Sequence, residues 1–301
     1  MLLINHALAV QQSVMRTLLL LSISILFLAC EQGAEHAKAA PPDGISSFAL
    51  YSTSVGDSFN INVYIPDTSL VENTTGLPVI YILDANLYFD IYASILRKYS
   101  EVGLIPAAIL VGIGYSSFEK MDSLRVRDYT FPVGLPEYEM PVSGRADRFL
   151  NFVHHELIPE IDRKFPSDTS KRILAGHSLG AYFTMYDLLE EVKGSQGVFR
   201  GFVAASPSLH YNHNYLVKQY DSVGQHISRE RKLYVAYGEL EDPELKGSTT
   251  MTADDLFKHL SVDFSKIPGA KIKTATFSEM EHMDTQIPTF LKGVRWILTD
   301  D

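Results

Sequence analysis

Two stretches of this chain, LPVIYILDA (77–85) and PAAILVGIGY (106–115), are apolar at nearly every position yet only as long as a strand. A strand with one solvated face alternates apolar and polar side chains. A strand that is apolar throughout needs cover on both faces, which it finds inside a mostly parallel sheet. Neighbouring parallel strands cannot be joined by a tight turn, because the connection must run the length of the sheet. The segment between the two runs, YFDIYASILRKYSEVG, has helical spacing and stops at Gly103, so the three together predict a βαβ unit.

The remainder follows the same alternation. Ahead of these runs, FALYSTSV and FNINVYIP alternate apolar and polar residues around Gly56-Asp57 and predict an antiparallel β-hairpin. Residues 116–143 contain Pro132, Pro136 and Pro141 and read as an irregular excursion, longer than an ordinary connection. A helix is expected over about 146–165, with Leu150, Phe152, Val153, Leu157 and Ile161 as its apolar stripe. Then come strand RILAG, helix LGAYFTMYDLLEEV, strand FRGFVAASP, a Tyr/His/Asn-rich segment and strand KLYVAYG. A helix around 254–260, strand KIKTATF and a helix near 288–298 complete the chain. Strands alternating with helices define an α/β protein with helices on both faces of its sheet.

The formal charge is -10, from 36 acidic and 26 basic side chains, which argues against nucleic-acid binding, since that needs a basic surface. The N-terminus reads as an export signal. LLLLSISILFLA, beginning at Leu18 and preceded by Arg16, falls short of the ~20 residues a membrane-spanning helix needs but suits a signal-peptide core. It ends at Cys30, the single cysteine, in FLAC, which resembles a bacterial lipoprotein box with Phe27 in place of the usual leucine. The expected organisation is a signal peptide (1–30), a tether (31–44) and one folded domain (45–301). Acylation of Cys30 would make the protein an exported, membrane-anchored lipoprotein.

Within RILAGHSLGAYF, Ser178 stands between Gly176 and Gly180, after a buried strand and before a helix. That turn forces a serine into strained backbone geometry and sets it beside a helix N-terminus, where the Leu179 amide can stabilise an oxyanion. A serine hydroxyl needs a base to take its proton and a carboxylate to orient that base. Glu239, Glu241 and Asp242 follow the strand YVAYG, and His282 follows the last strand, in the chain order nucleophile, acid, histidine. His154-His155-Glu156 is not a metal site, because adjacent helix positions point about 100° apart.

The ordered motifs PVIYILDANLYF, RVRDYTFP, SGRADRFLNFVHHELIPEID, RILAGHSLGAYF, AASPSLHYN, VAYGELED and EHMD resemble an esterase group of α/β-hydrolases. That group includes enterochelin and salmochelin esterases, formylglutathione hydrolases, feruloyl esterases and mycolyltransferases, and the likeness covers about residues 45–299. It implies an α/β-hydrolase fold with a mostly parallel sheet, Ser178 as nucleophile, His282 as base and Glu241 as acid, with Asp242 and Glu239 as alternatives. It implies an oxyanion hole from the amides of Leu179 and Asn86. Ala85 and Ala181 stand where the family commonly has glycine, so a positive φ at residue 85 would be strained. His210, Tyr211, Arg127 and Tyr129 are candidate pocket residues, and Arg125 and Arg127 candidate receivers of an anion; an internal network is the other reading of Arg127-Asp128-Tyr129. His177 is expected to pack rather than titrate. The implied chemistry is carboxylic-ester hydrolysis through an acyl-enzyme, with no metal or cofactor, on a siderophore or other small ester. Acyl transfer by the same residues and a non-catalytic ligand-binding lipoprotein are the alternatives.

Overall fold

The structure is a computed structural model that describes residues 44–67, 76–222, 229–241 and 253–299. The signal peptide, Cys30, the tether up to residue 43 and Asp242 lie outside the described residues. Eight strands form one sheet: β1 (Ile45–Ser52), β2 (Asp57–Tyr64), β3 (Leu77–Ile82), β4 (Ile109–Gly114), β5 (Ser167–His177), β6 (Gly201–Ala205), β7 (Arg231–Gly238) and β8 (Ala270–Phe277). Their spatial order is β1-β2-β4-β3-β5-β6-β7-β8. β2 is antiparallel to both β1 and β4, and every other pairing is parallel. The expected hairpin forms, with Ser52 opposite Asp57.

The helices are α1 (Ala85–Glu101), α2 (Phe118–Tyr129), α3 (Ala146–Phe152), α4 (Ile158–Lys164), α5 (Leu179–Val192), α6 (Tyr211–Ser222), α7 (Ala253–Ser265) and α8 (Gln286–Thr299). They cover the two faces of the sheet unequally. Successive side chains of a strand point to opposite faces, and the apolar runs divide accordingly: in β3, Val79 and Tyr81 enter one core, Ile80 and Ile82 the other. The smaller core lies under α1 and α8, where Tyr92 and Phe290 stack with ring centroids 3.9 Å apart. The larger core takes residues from the other helices. This is the mostly parallel α/β sheet, covered on both faces, that the sequence pattern predicts.

Three local features differ from the sequence reading. The 116–143 excursion begins with α2, capped by Ser117, whose Oγ accepts the Lys120 amide at 3.2 Å. Its three prolines all follow this helix, and few of its residues are buried, so no strong apolar stripe announced it. The 146–165 helix is continuous but passes through a π-turn over Val153–Leu157, just before Pro159, which has no amide hydrogen to donate. The Tyr/His/Asn-rich segment opens α6 with a left-handed turn, Asn212, His213 and Asn214 at φ of 48°, 52° and 62°. That turn fastens the proline segment: Tyr211 Oη donates to Pro132 O at 2.9 Å, and the Asn212 amide bonds Leu135 N and Val133 O at 2.9 and 3.0 Å.

Phe149 ties these parts together. It is fully buried, and its ring meets Phe59 of the hairpin, Tyr129 of α2, Phe152 of its own helix and Phe183 of α5 at centroid distances of 5.0 to 5.6 Å. Phe149→Ala leaves a cavity among these rings and is expected to cost about 3–5 kcal/mol. Chemical denaturation of the two proteins measures it.

Candidate active site

Ser178 follows the last residue of β5 and precedes the first of α5, with φ 58° and ψ -118°. L-residues rarely occupy that region, and the surroundings hold it there: Ser178 N donates to Ala205 O at 3.0 Å and its carbonyl accepts the amides of Tyr182 and Ser208. Gly176 allows the strand and helix to close, and Gly180 leaves room for the neighbouring Asp84 turn. A Cβ on Gly176 would lie 2.3 Å from the carbonyl carbon of Gly180, and one on Gly180 would lie 3.2 Å from Asp84 Oδ2. Ser178 Oγ is paired with Ser208 Oγ at 3.2 Å, and no hydrogen bond joins it to His282 in this structure.

His282 and Glu241 are brought together as the sequence reading expects. Glu241 closes a short turn after β7, only 4% exposed, and its Oε2 lies 2.8 Å from His282 Nδ1. Since a carboxylate only accepts, Nδ1 carries the proton and Nε2 offers its lone pair. Oε1 accepts the Gly238 amide and Ser206 Oγ, each at 2.6 Å. Burial alone would raise the proton affinity of Glu241, but His282, Ser206 and Gly238 outweigh it and hold the carboxyl below its ordinary range. Gly238 is required at this corner, because a Cβ would sit 2.1 Å from Met280 O. The alternative Glu239 is exposed and is taken up by Ser278 Oγ at 2.6 Å and Glu279 N at 3.1 Å.

The Leu179 amide stands at the N-terminus of α5, where helical amides lack intrahelical partners, and the Asn86 amide stands likewise in the first turn of α1. The left-handed residue at this second turn is Asp84, at φ 53°, and not Ala85, which packs in the core; the expected strain at Ala85 is therefore absent. Asn86 Oδ1 accepts Tyr115 N at 2.7 Å and Nδ2 donates to Tyr115 O at 2.9 Å, fixing the turn against the end of β4.

The pocket candidates fare differently. Tyr129 is 0% exposed and Tyr211 1%, so both are core side chains beneath the surface. Arg127 is held by Asp128 at 2.7 Å and Asp57 at 3.1 Å, and Asp128 also accepts Tyr115 Oη at 2.9 Å; the internal-network reading of Arg127-Asp128-Tyr129 is the right one. Arg125 is likewise engaged, bidentate on Asp84 at 2.9 and 2.8 Å. Neither arginine is open to an anion in this arrangement. His210 is exposed, next to the left-handed turn of α6.

Sequence reading missed three hydroxyls. Ser206 Oγ donates to Glu241 and lies 2.6 Å from Thr285 Oγ1, which in turn lies 3.1 Å from His282 O, and Ser208 touches Ser178. The signal for two of them was present in the motif AASPSLHYN. His154 and Glu156 point apart as expected: His154 Nε2 meets buried Asp187 at 2.9 Å while Glu156 accepts from Thr53 and Ser54. Asp221, His259 and Asp263 converge to within 4.8 Å, but His259 lies 2.6 Å from Asp221 and Lys266 is on Asp263 at 2.8 Å, a polar link between α6 and α7.

Comparison with known proteins fits this geometry. Residues 52–238 match the family described as "Putative esterase". The ferri-bacillibactin esterase BesA of Bacillus subtilis is 31% identical over 254 residues, 80% of this chain and 85% of that protein. The apo-salmochelin esterase of Escherichia coli is 26% identical over 190 residues, 59% of this chain and 57% of that protein. The BES protein from Bacillus cereus superposes with a TM-score of 0.69 at 22% identity, over 89% of this chain and 99% of that one. The chain thus belongs to this esterase family of α/β-hydrolases and is a carboxylic ester hydrolase.

Proposed function

We propose that this hydrolase works through a Ser178–His282–Glu241 triad and a covalent acyl-enzyme. The observation that carries the reading is the His282 Nδ1 to Glu241 Oε2 contact at 2.8 Å, with its acid anchored by a backbone amide and a buried hydroxyl, on the same edge of the sheet as the strained Ser178. Rotation about the Ser178 side chain carries Oγ from Ser208 to His282 Nε2 as substrate enters; such contacts are commonly loose before binding. His282 Nε2 takes the hydroxyl proton while Oγ attacks the ester carbonyl. The amides of Leu179 and Asn86 hold the resulting oxyanion. His282 then returns the proton to the leaving alcohol. Water, deprotonated by the same nitrogen, attacks the acyl-serine, releasing the acid and restoring Ser178.

The substrate is a siderophore ester, of the kind that the names of the ferri-bacillibactin and apo-salmochelin esterases indicate for those proteins. The location is the outside of the cytoplasmic membrane, with Cys30 acylated and the domain held on the tether.

A fluorophosphonate probe is expected to label the full-length protein at Ser178. Ser178→Ala should lose the label and at least about 10³-fold in kcat while folding normally. Glu241→Gln should lower kcat by about 10²- to 10⁴-fold, whereas Glu239→Gln, a surface change, should stay within about threefold of wild type. Equal losses for the two glutamates would remove Glu241 from the triad. Chromatography of a catecholate trilactone after incubation should show ring-opened and shortened products; cleavage of aryl esters alone would refute the substrate assignment. Palmitate incorporated in cells should disappear in Cys30→Ser, and persistence of the label would exclude that anchor.

A further inference from the structure

His177 separates the nucleophile from the body of β5, and the mechanism above gives it no role. Its side chain is nonetheless placed with care. Only 4% of the residue is exposed. Nε2 lies 2.8 Å from the backbone oxygen of His282, and Nδ1 lies 3.4 Å from Tyr88 Oη. Its ring leans over that of His282, with centroids 4.7 Å apart and planes at 47°, while Tyr88 meets it edge-on at 6.1 Å and 86°. A carbonyl oxygen only accepts, so Nε2 carries the proton, and Nδ1 is left to accept from Tyr88.

We propose that His177 is a positioning residue which, on the triad reading given above, fixes the distance between Ser178 and the His282 loop. Two consecutive residues, the last of β5 and the one after it, then serve one reaction: Ser178 supplies the nucleophile, and His177 holds the backbone from which the base projects. His282 lies between β8 and α8, outside regular structure. Among the described residues the carbonyl of His282 meets two donor groups, His177 Nε2 and Thr285 Oγ1, and Thr285 is only three residues away on the same segment. Glu241 after β7 holds the His282 ring, and Ser206 after β6 meets Thr285; the bond from His177 is the one that ties the His282 backbone to the strand leading into Ser178. β5 is paired with β3 as far as Ala175 and with β6 through His177, opposite Ala205, so the reference point belongs to the sheet.

Chemistry explains why an imidazole suits this position. The group must donate at one end and accept at the other without bearing charge, because His282 becomes cationic when it takes the serine proton. A second imidazolium 4.7 Å away would oppose that charge. Burial, assisted by the proximity of His282, lowers the proton affinity of His177 to a pKa of about 4. It stays neutral wherever His282 is needed as a base. Leucine would fill the space but release the loop. Glutamine carries an amide nitrogen near the Nε2 position and can keep the donation.

The test compares full-length wild type, His177→Leu, His177→Gln and Tyr88→Phe, using p-nitrophenyl acetate for kcat and KM, fluorophosphonate labelling of Ser178, and thermal unfolding. His177→Leu is expected to lower kcat by about 10- to 100-fold, as sub-ångström misplacement of a base does, with KM unchanged. His177→Gln should recover most of that loss. Tyr88→Phe keeps the ring but drops one neutral hydrogen bond and should lower kcat by about 2- to 10-fold. Wild-type kcat in His177→Leu overturns the proposal, as does a His177→Gln protein of wild-type thermal stability that is no better than His177→Leu. If His177→Leu does not fold, the decision passes to the other two variants: wild-type kcat in Tyr88→Phe, or no activity in a folded His177→Gln, overturns it. Wild-type protein that fails to label at Ser178 instead overturns the triad reading, and this inference with it.

Discussion

The site depends on a backbone conformation that few residues accept. Ser178 is held at φ 58° and ψ -118° because β5 must turn directly into α5, and that turn closes only where Gly176 has no Cβ to collide with the backbone of Gly180. The strain is not isolated. Asp84, Ser206 and Glu279 also have positive φ, at 53°, 44° and 58°, and stand just past the carboxyl ends of β3, β6 and β8, as Ser178 does past β5. Each is restrained by a specific partner. Asp84 is gripped by Arg125, Ser206 N donates to Ala236 O at 2.8 Å, and Glu279 N donates to Glu239 Oε2 at 3.1 Å. Crevices at the carboxyl ends of parallel strands are where α/β proteins bind ligands, and here the tight turns all face that side.

The sheet was legible because its chemistry is local. Short apolar runs of strand length bounded by turn residues fit strands covered on both faces, and the split of Val79 and Tyr81 from Ile80 and Ile82 shows each side chain finding its own core. Helix α5 was read at its observed bounds because the elbow fixes its start and its apolar residues repeat. Helix α2 escaped notice because it buries little beyond Met121, Asp128 and Tyr129, so what stabilises it is the cap at Ser117 and ion pairs that form only in three dimensions. The π-turn depends on how a helix accommodates Pro159, which no periodicity records.

The site divides the same way. Ser178 and His282 were legible from position, since each follows a strand in the order the chemistry needs. The choice among Glu239, Glu241 and Asp242 was not, because the three differ by a single turn of backbone. Glu241 is distinguished by what approaches it: the Gly238 amide, the Ser206 hydroxyl and the His282 ring all donate to one carboxylate. Tyr129 and Arg127 were placed too near the surface. The internal network was the reading that fitted Arg127-Asp128-Tyr129, because buried charges must be paired, and that requirement draws Arg127 to Asp57 and Asp128.

Pairing also explains Arg125, which reaches the residue before Ser178 without being free for a ligand. Its guanidinium grips both oxygens of Asp84 and donates to His177 O at 3.3 Å. Asp84 begins the turn that carries the Asn86 amide; His177 begins the turn that carries Ser178 and the Leu179 amide. Planar, bidentate contact is what guanidinium does and ammonium does not, so lysine could hold one turn but not both in fixed orientation. The two amides that would receive an oxyanion belong to different strands and helices, and their separation is set where those elements meet. An arginine bonded to one turn through a carboxylate and to the other through a carbonyl makes them a single rigid part before any substrate arrives. Oxyanion stabilisation requires that preorganisation, because donors that had to move into place would spend on their own reorganisation the energy meant for the transition state.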